Sequence, residues 1–541
     1  MNFMQSKRTW MRRGAALWVC FAVPFASLAQ APKDSPAPQT LKVTTHLVEL
    51  NVVVTDKKGN PVTDLTKEDF KVFENEQLQA IATFEPAAQP ATAEGEHASP
   101  AFVPPVAMQN GAQPTTILVL DELNVHGEDV MFAAEKLKKF LQAQPAVLAQ
   151  TTSLYLLNKR KLELYGTPTR NRDALLAVLK KTFIELAPHD LESGGAQGAS
   201  DRLLASMIAL GEIALANADH KARKNVIWIG HGDPLLSDSA MDIVDRERFL
   251  KWIHYTANWL QQTQTTVYTI DPRGVEVAPA TVASGGLIGT ESLISRTSEP
   301  GLTLADLVFE SIAPESGGAI FRRRNDLDVA IASAARDGSS YYTLSYYPTD
   351  RNWDGKFRKI RIGVARQELQ ARTQRGYYAF ADGVENNGEQ LDWSISRAVT
   401  SPLLFNGIGM TATGKRIAPG PAAGKKSKSV AGAASVLLAI NRDSLSWTTQ
   451  PNGDERSEVT LVTSEMSSSE RVLGYHVREV EVVVEKAKVG SSDKVELAVR
   501  TEVPAKTDHI RLVLRDASSG RLGTFDLPAA SLVAANVSPS R

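Results

Sequence analysis

The sequence predicts an α/β protein, in which a doubly wound, mostly parallel sheet is flanked by an N-terminal and a C-terminal β-sandwich-like module. Three observations predict it. The apolar run 115–120 ends at Asp121 and Glu122 and is followed by apolar residues at helical spacing up to Leu141. Two later apolar runs, VIWI and TVYTI, also end in polar turns, as buried parallel strands do. Alternating runs at both ends of the chain are typical of antiparallel strands.

Length and composition limit the class of protein. A chain of 541 residues is too long for one hydrophobic core and implies several domains. Its 60 basic and 61 acidic residues leave a net charge of -1, which argues against nucleic acid as a partner. Cys20 is the only cysteine, so a disulfide scaffold and a cysteine-ligated metal site are both excluded.

Residues 1–29 are predicted to be a secretory signal peptide. Four basic residues precede an apolar stretch at 15–25, and small residues follow it up to Ala29. A retained membrane anchor is the alternative, but spanning a bilayer takes about 20 apolar residues and this stretch is shorter. We therefore expect cleavage after Ala29, a periplasmic or extracellular protein, and no membrane span after cleavage.

Composition divides the rest of the chain. Residues 40–85 are predicted to form the N-terminal β module, and the Pro/Ala-rich residues 86–114 a linker. Residues 115–381 are assigned to the α/β domain, with three strands at its end. Residues 391–541 are assigned to a C-terminal β-sandwich with a disordered loop at 415–432.

Several strings resemble VWFA-related domain proteins known mainly from acidobacteria. They are KKGNPVTDLTKEDFKVFENEQLQAIATF, RKNVIWIGHGDP, TVYTIDPRGV, SGGAIFRRRNDLDVAI, YYTLSYYP, KFRKIRIGV and RTQRGYYA, and together they cover roughly residues 40–380. The resemblance implies a Rossmann-like von Willebrand factor type A domain used mainly for binding other proteins. In many such domains an Asp-x-Ser-x-Ser turn, a Thr and a second Asp hold a divalent metal ion.

The sequence departs from that metal-binding pattern. Asp121 stands at the first position, but Leu123 and Val125 replace the two serines. Magnesium prefers oxygen ligands in near-octahedral order. A degenerate magnesium site would therefore depend on Asp121, Asn124 and Asp233. We expect a domain that folds without metal or other cofactor, in which Asp121 instead caps the next helix or binds backbone N–H groups.

The predicted function is non-enzymatic binding of a protein partner at the cell envelope. Ligands of open α/β sheets bind beyond the carboxyl ends of the strands, so the contact face is predicted on that upper rim. It comprises the residues Asp121, Glu122, Asn124, His126, His231, Asp233 and Asp271. A structural envelope spacer without ligand binding and an unrecognised hydrolase remain as alternatives. The sequence contains neither a Gly-x-Ser-x-Gly nor a His-x-x-x-His motif, which counts against the hydrolase.

Overall fold

The structure, a computed structural model, describes residues 47–87, 113–125, 127–158, 161–185, 195–230, 255–274, 312–380, 388–417 and 430–532. The predicted signal peptide and most of the predicted linker lie outside these ranges. The same is true of three predicted rim residues, His126, His231 and Asp233.

The described chain begins with four short strands. They are β1 (Val48–Thr55), β2 (Phe70–Glu74), β3 (Gln77–Gln79) and β4 (Ile81–Glu85). Alternate apolar residues of β1 are buried, beginning with Val48, Leu50 and Val52. This period of two is the one that the sequence shows, because successive side chains of a strand point to opposite faces.

Strands and helices alternate in the central domain. The elements are β5 (Thr115–Asp121), α1 (Gly127–Gln142), β6 (Val147–Leu157), β7 (Leu162–Asn171), α2 (Arg172–Glu185), α3 (Gly195–Ala216), β8 (Lys224–Ile229), α4 (255–262), β9 (Thr265–Ile270), α5 (Ile312–Glu315), β10 (Ile320–Phe321) and α6 (Leu327–Ser339). The strand order is β10-β9-β8-β5-β6-β7, and all neighbours are parallel except the pair β6 and β7.

Helices cover both faces of this central sheet. On one face α1, α2 and α6 enclose Leu118, Ile227 and Tyr268. On the other face α3 and α4 pack around Val119 and Trp228. The chain runs from β5 outward to β7 and then returns to β8 on the other side of β5. The ends of β5 and β8 therefore form the topological switch point, where open α/β sheets place their ligands.

The strands that follow the central domain belong to the N-terminal module. They are β11 (Tyr342–Tyr346), β12 (Asp354–Val364), β13 (Gln370–Arg372) and β14 (Gly376–Phe380). They complete two facing sheets, β13-β1-β11-β4 and β14-β12-β2-β3, around a shared apolar core. The expected boundaries of 40–85 and 115–381 are corrected accordingly. The sequence could not show this grouping, because β1 finds its partner β11 only after the whole central domain.

A buried ion cluster joins the two halves of this module. The Arg358 guanidinium lies 3.1 Å from a carboxylate oxygen of Glu74, and both side chains are almost completely buried. The other carboxylate oxygen of Glu74 accepts hydrogen bonds from the hydroxyls of Tyr346, at 2.6 Å, and Tyr377, at 2.9 Å. A buried ion pair is tolerated when hydrogen bonds satisfy its remaining lone pairs, as here. These residues come from four of the strings that carry the family resemblance.

The remaining chain forms a helix and a second two-sheet module. The elements are α7 (Gly388–Thr400), β15 (Met410–Ile417), β16 (Val430–Asn441), β17 (Thr448–Thr449), β18 (Glu455–Met466), β19 (Val472–Val484), β20 (Lys494–Pro504), β21 (His509–Asp516) and β22 (Leu522–Pro528). One sheet has the order β15-β16-β20, and the other β17-β18-β21-β22 with β19 paired to β18. The predicted loop 415–432 is corrected at both ends, because 415–417 and 430–432 lie in strands. Helix α7 was not predicted.

Helix α7 joins this module to the central domain. Ala398 of α7 and Phe405 beyond it enter the same apolar cluster as Leu210 of α3. The Arg397 guanidinium donates to the buried Glu212 carboxylate of α3, with Nε 3.1 Å from Oε1. The C-terminal module is thus packed against the side of the central domain that α3 covers.

Candidate functional site

Three neighbouring strands end in one row at the upper rim. The pairing of β5, β8 and β9 places Asp121, Gly230 and Asp271 next to one another just past the last paired residues. Gly230 passes so close to Asp121 that a Cβ at position 230 would lie 2.5 Å from the Cβ of the aspartate. The row is therefore closely packed rather than open, and a glycine is needed beside the aspartate.

Asp121 lies at the centre of this row and is bonded to the protein itself. Its side chain is buried, with 1% exposure. The indole Nε1 of Trp228 donates to Oδ2 at 3.0 Å, and the amide Nδ2 of Asn124 donates to the same oxygen at 2.8 Å. The backbone N–H of Asn124 donates to Oδ1 at 3.1 Å. The carboxylate thus caps its own turn and receives an indole hydrogen bond from β8.

Burial sets the protonation of this carboxyl. Removal from water disfavours the charged form and raises the pKa of Asp121 from 3.8 to about 6. The hydrogen bonds from Asn124 and Trp228 act in the opposite direction and limit that rise. Asp121 is therefore mainly ionised at neutral pH and becomes protonated in mildly acidic solution.

Asn124 connects the rim turn to helix α3. Its Nδ2 also donates to the hydroxyl of Ser206 at 2.8 Å, and that hydroxyl donates to the backbone oxygen of Arg202 at 3.2 Å. The Oδ1 atom of Asn124 is buried and makes no hydrogen bond within the described structure. Sequence reasoning missed Ser206, because it lies 82 residues further along the chain with no motif around it.

The described residues do not fit a standard magnesium site. Leu123 and Val125 replace hydroxyl ligands, and both side chains are buried in apolar clusters on opposite faces of the sheet. N–H donors already point at both carboxylate oxygens of Asp121. In the described parts of the chain, no three His, Cys, Asp or Glu side chains are grouped so that they could hold a metal ion. Asp233, the third predicted ligand, lies outside those parts.

The four residues of the predicted contact face that the structure describes are buried. Asp121 and Asn124 are each 1% exposed, Glu122 is 9% exposed and Asp271 is 5% exposed. Asp271 forms an ion pair with Arg273, with 2.6 Å between Oδ2 and Nη2. For Asp121, Glu122 and Asn124 the physical reason is the composition of the turn: Leu123 and Val125 are drawn into the core and bury their polar neighbours with them.

No protein-family model matches the chain, and no curated protein matches it. Among solved structures, an aerotolerance-related membrane protein from Bacteroides fragilis aligns at 11% identity and a TM-score of 0.24, over 42% of this chain and 98% of that one. Proximal thread matrix protein 1 from the mussel byssus aligns at 10% identity and 0.24, over 42% and 48%. The SpRpn10 VWA domain aligns at 13% identity and 0.21, over 40% and 94%. At these TM-scores the alignments carry no argument about function.

Proposed function

We propose that this protein is an exported, non-enzymatic protein-binding protein whose central domain is a von Willebrand type A-like scaffold that works without a bound metal ion. The observation that carries the proposal is the environment of Asp121. In a metal-dependent domain of this kind the corresponding carboxylate would be directed at the ion. Here its oxygens accept N–H bonds from Trp228 and Asn124 instead, so the carboxylate is bonded to the protein itself and is not directed at a ligand.

The same environment counts against the hydrolase alternative at this position. A general base has to come within hydrogen-bond distance of a substrate or of one water molecule. Asp121 is enclosed by Asn124, Trp228 and Gly230, so a substrate does not reach its oxygens without displacing the core. The role that fits is structural: Asp121 ties the rim turn to β8 and, through Asn124, to α3.

Exposed apolar side chains favour a binding protein over an inert spacer. Four of them, Leu473, Tyr475, Val477 and Val483, come from the single strand β19. Scattered exposed apolar residues are normal, but grouped ones mark interaction surfaces. We propose, from the predicted signal peptide, that this surface lies outside the cytoplasm. Across the residues that the structure describes, no helix combines the length and apolar character needed to cross a membrane.

Partner capture with and without metal tests the proposal. The protein without residues 1–29 is immobilised and exposed to envelope extract in magnesium and, separately, in EDTA. We expect the same proteins to be retained in both buffers and lost when the immobilised protein is heat-unfolded. Asp121→Asn, which removes the charge but keeps an oxygen that can accept a hydrogen bond, should retain the same proteins.

Other results would favour the alternatives. Retention of envelope proteins that requires magnesium would mean that the rim holds an ion. If envelope proteins are retained only by the heat-unfolded protein, and none by the folded one, the structural spacer is favoured. Turnover of substrates in a broad hydrolase panel, lost in Asp121→Ala, would show an enzyme. N-terminal sequencing of exported protein tests the compartment, with cleavage after Ala29 expected.

A further inference from the structure

We propose that the free edge of β19 is a docking site for an extended, basic segment of a partner protein, which adds to the C-terminal sheet as a further strand. The inference deepens the proposed protein-binding function and rests on it. It assigns the contact to the C-terminal module rather than to the rim of the central domain.

The first observation is an unpaired strand edge. β19 has 13 residues and pairs with β18 along nearly its whole length, from Glu455 opposite Val484 to Met466 opposite Val472. Its other edge forms no backbone ladder with a strand in the part of the chain that the structure describes, and the bond that it makes to β20 there comes from a side chain: the Arg478 guanidinium donates to the backbone oxygen of Arg500 at 2.7 Å. Such an edge presents a row of backbone N–H and C=O groups, which is the template that strand addition uses.

The second observation is the set of side chains beside that edge. On one face of β19 alternate residues are Tyr475, Val477, Glu479, Glu481 and Val483. Tyr475 and Val477 are each 50% exposed and Val483 is 51% exposed. An extended segment lying along the edge would cover these apolar side chains at the same two-residue period.

Another edge strand of this module, β20, is protected by comparison. Its exposed alternate residues include Lys494, Glu496, Arg500 and Glu502, and it ends at Pro504. Charged side chains and proline are the usual means by which proteins prevent strand pairing at an edge. The sequence of β19, VLGYHVREVEVVV, also contains charged residues, but it has no lysine and no proline, and its exposed face carries Tyr475, Val477 and Val483 as well. The two strands have similar lengths, so the contrast lies in their side chains.

Charge identifies the occupant. Glu479 and Glu481 lie on the exposed face of β19, and Glu458 lies directly opposite Glu481 on β18. Arg456 pairs with Glu481, and the hydroxyl of Thr460 donates to Glu479, so three carboxylates lie close together on this face. Opposite charges facing each other across strands are favourable, and like charges are not. The added strand should therefore carry basic residues two positions apart, opposite Glu479 and Glu481.

A second copy of this chain fits the edge less well. In a fully overlapped antiparallel pair of two β19 strands, residue 478 lies opposite itself, so the two Arg478 side chains would face each other. Glu479 and Glu481 would then lie opposite Val477 and Tyr475 of the second copy. Each carboxylate would meet an apolar side chain instead of a cation, which is unfavourable.

A designed peptide tests the proposal. The probe is a fluorescently labelled peptide, Val-Thr-Lys-Thr-Lys-Thr-Val-Thr-Val, which places lysines opposite Glu481 and Glu479 and valines opposite Val477 and Tyr475 in an antiparallel pair. We expect saturable binding by fluorescence anisotropy and slower amide exchange in β19 of the bound protein. A peptide with glutamate in place of both lysines, and one with proline in place of the threonine between the two lysines, should bind at least tenfold more weakly.

Protein variants locate the site. Glu479→Lys should weaken peptide binding about tenfold, since it turns an attraction into a repulsion. The matched control is Glu496→Lys on the protected edge of β20, which makes the same charge change and should leave binding unaltered. Equal effects of the two variants, or no binding to the full protein, would overturn the inference.

The outcomes also separate this inference from the proposed function. Retention of envelope proteins that persists in Glu479→Lys, while peptide binding is lost or absent, would refute the β19 site and leave the protein-binding function intact. A concentration-dependent dimer in light scattering that Val477→Lys abolishes would identify a second copy as the occupant and overturn the assignment to a basic partner.

Discussion

Trp228→Phe separates the hydrogen bond to Asp121 from the packing of the indole. Trp228 is completely buried, and its Nε1 lies 3.0 Å from a carboxylate oxygen of Asp121. Above the Asp121 pKa of about 6 the acceptor is charged, and such a bond contributes about 1.5 to 3 kcal/mol. Below that pKa the acceptor is neutral, and the bond contributes about 0.5 to 1.5 kcal/mol. The variant should therefore lose about 1 kcal/mol more stability at about pH 8 than at about pH 5.

The direction follows from proton linkage. Burial raises the folded-state pKa of Asp121 from 3.8 to about 6. The favourable contribution of this carboxyl to the free energy of unfolding is therefore fully present below pH 3.8 and is lost as the pH rises through 6. That loss corresponds to roughly 3 kcal/mol in the unmodified protein. Removing the indole donor raises the pKa of Asp121 further and enlarges the loss.

Chemical unfolding followed by circular dichroism at the two pH values measures these differences. The control is Trp259→Phe, which removes a similar volume from the same apolar cluster but does not affect a donor to Asp121, since those come from Leu123, Asn124 and Trp228. The cost of lost packing should not depend on pH. Equal losses at both pH values in Trp228→Phe would refute the reasoning.

Four further predictions concern stability. Gly230→Ala should cost about 1 to 3 kcal/mol, because its Cβ would lie 2.5 Å from that of Asp121, and a melt that matches the parent protein would contradict this. Arg397→Met should cost about 3 to 5 kcal/mol by leaving Glu212 buried without its cation, and adding Glu212→Leu should restore most of the loss. Burial raises the pKa of Glu465 to about 7, so Glu465→Gln should gain stability relative to the parent as the pH rises from about 5 to about 8; a constant difference would be evidence against it. EDTA should leave the melting temperature unchanged, whereas a magnesium-dependent rise of several degrees would show that the rim binds the ion.

Local patterns predicted the central sheet well. The apolar runs ending at Asp121 and Ile270 are parallel strands, and the helical spacing after Gly127 is α1. These elements depend on local periodicity, which a single sequence displays. The burial of Trp228 agrees with the interpretation of VIWI as a buried strand, because a large apolar side chain within such a strand has no route to solvent.

Contacts between distant segments could not be predicted. The bond from Trp228 to Asp121 depends on the register between β5 and β8, more than a hundred residues apart in the chain. The burial of Glu122 depends on Leu123 and Val125 entering two different clusters, whereas the turn in isolation looks polar. The assignment of β11 to the N-terminal module depends on a pairing that no window of the sequence contains.

The division of the N-terminal module has a consequence for synthesis. β1 to β4 leave the ribosome before the central domain, and β11 to β14 leave after it, with residues 86–341 between them. At about 5 to 20 residues per second, the first half waits roughly ten to fifty seconds for its partners. During that time the apolar side chains of β1 have no opposing sheet, although the central domain can already be complete. A nascent chain that stops before residue 342 is therefore expected to be a substrate for chaperones and quality-control proteases because of its first forty described residues.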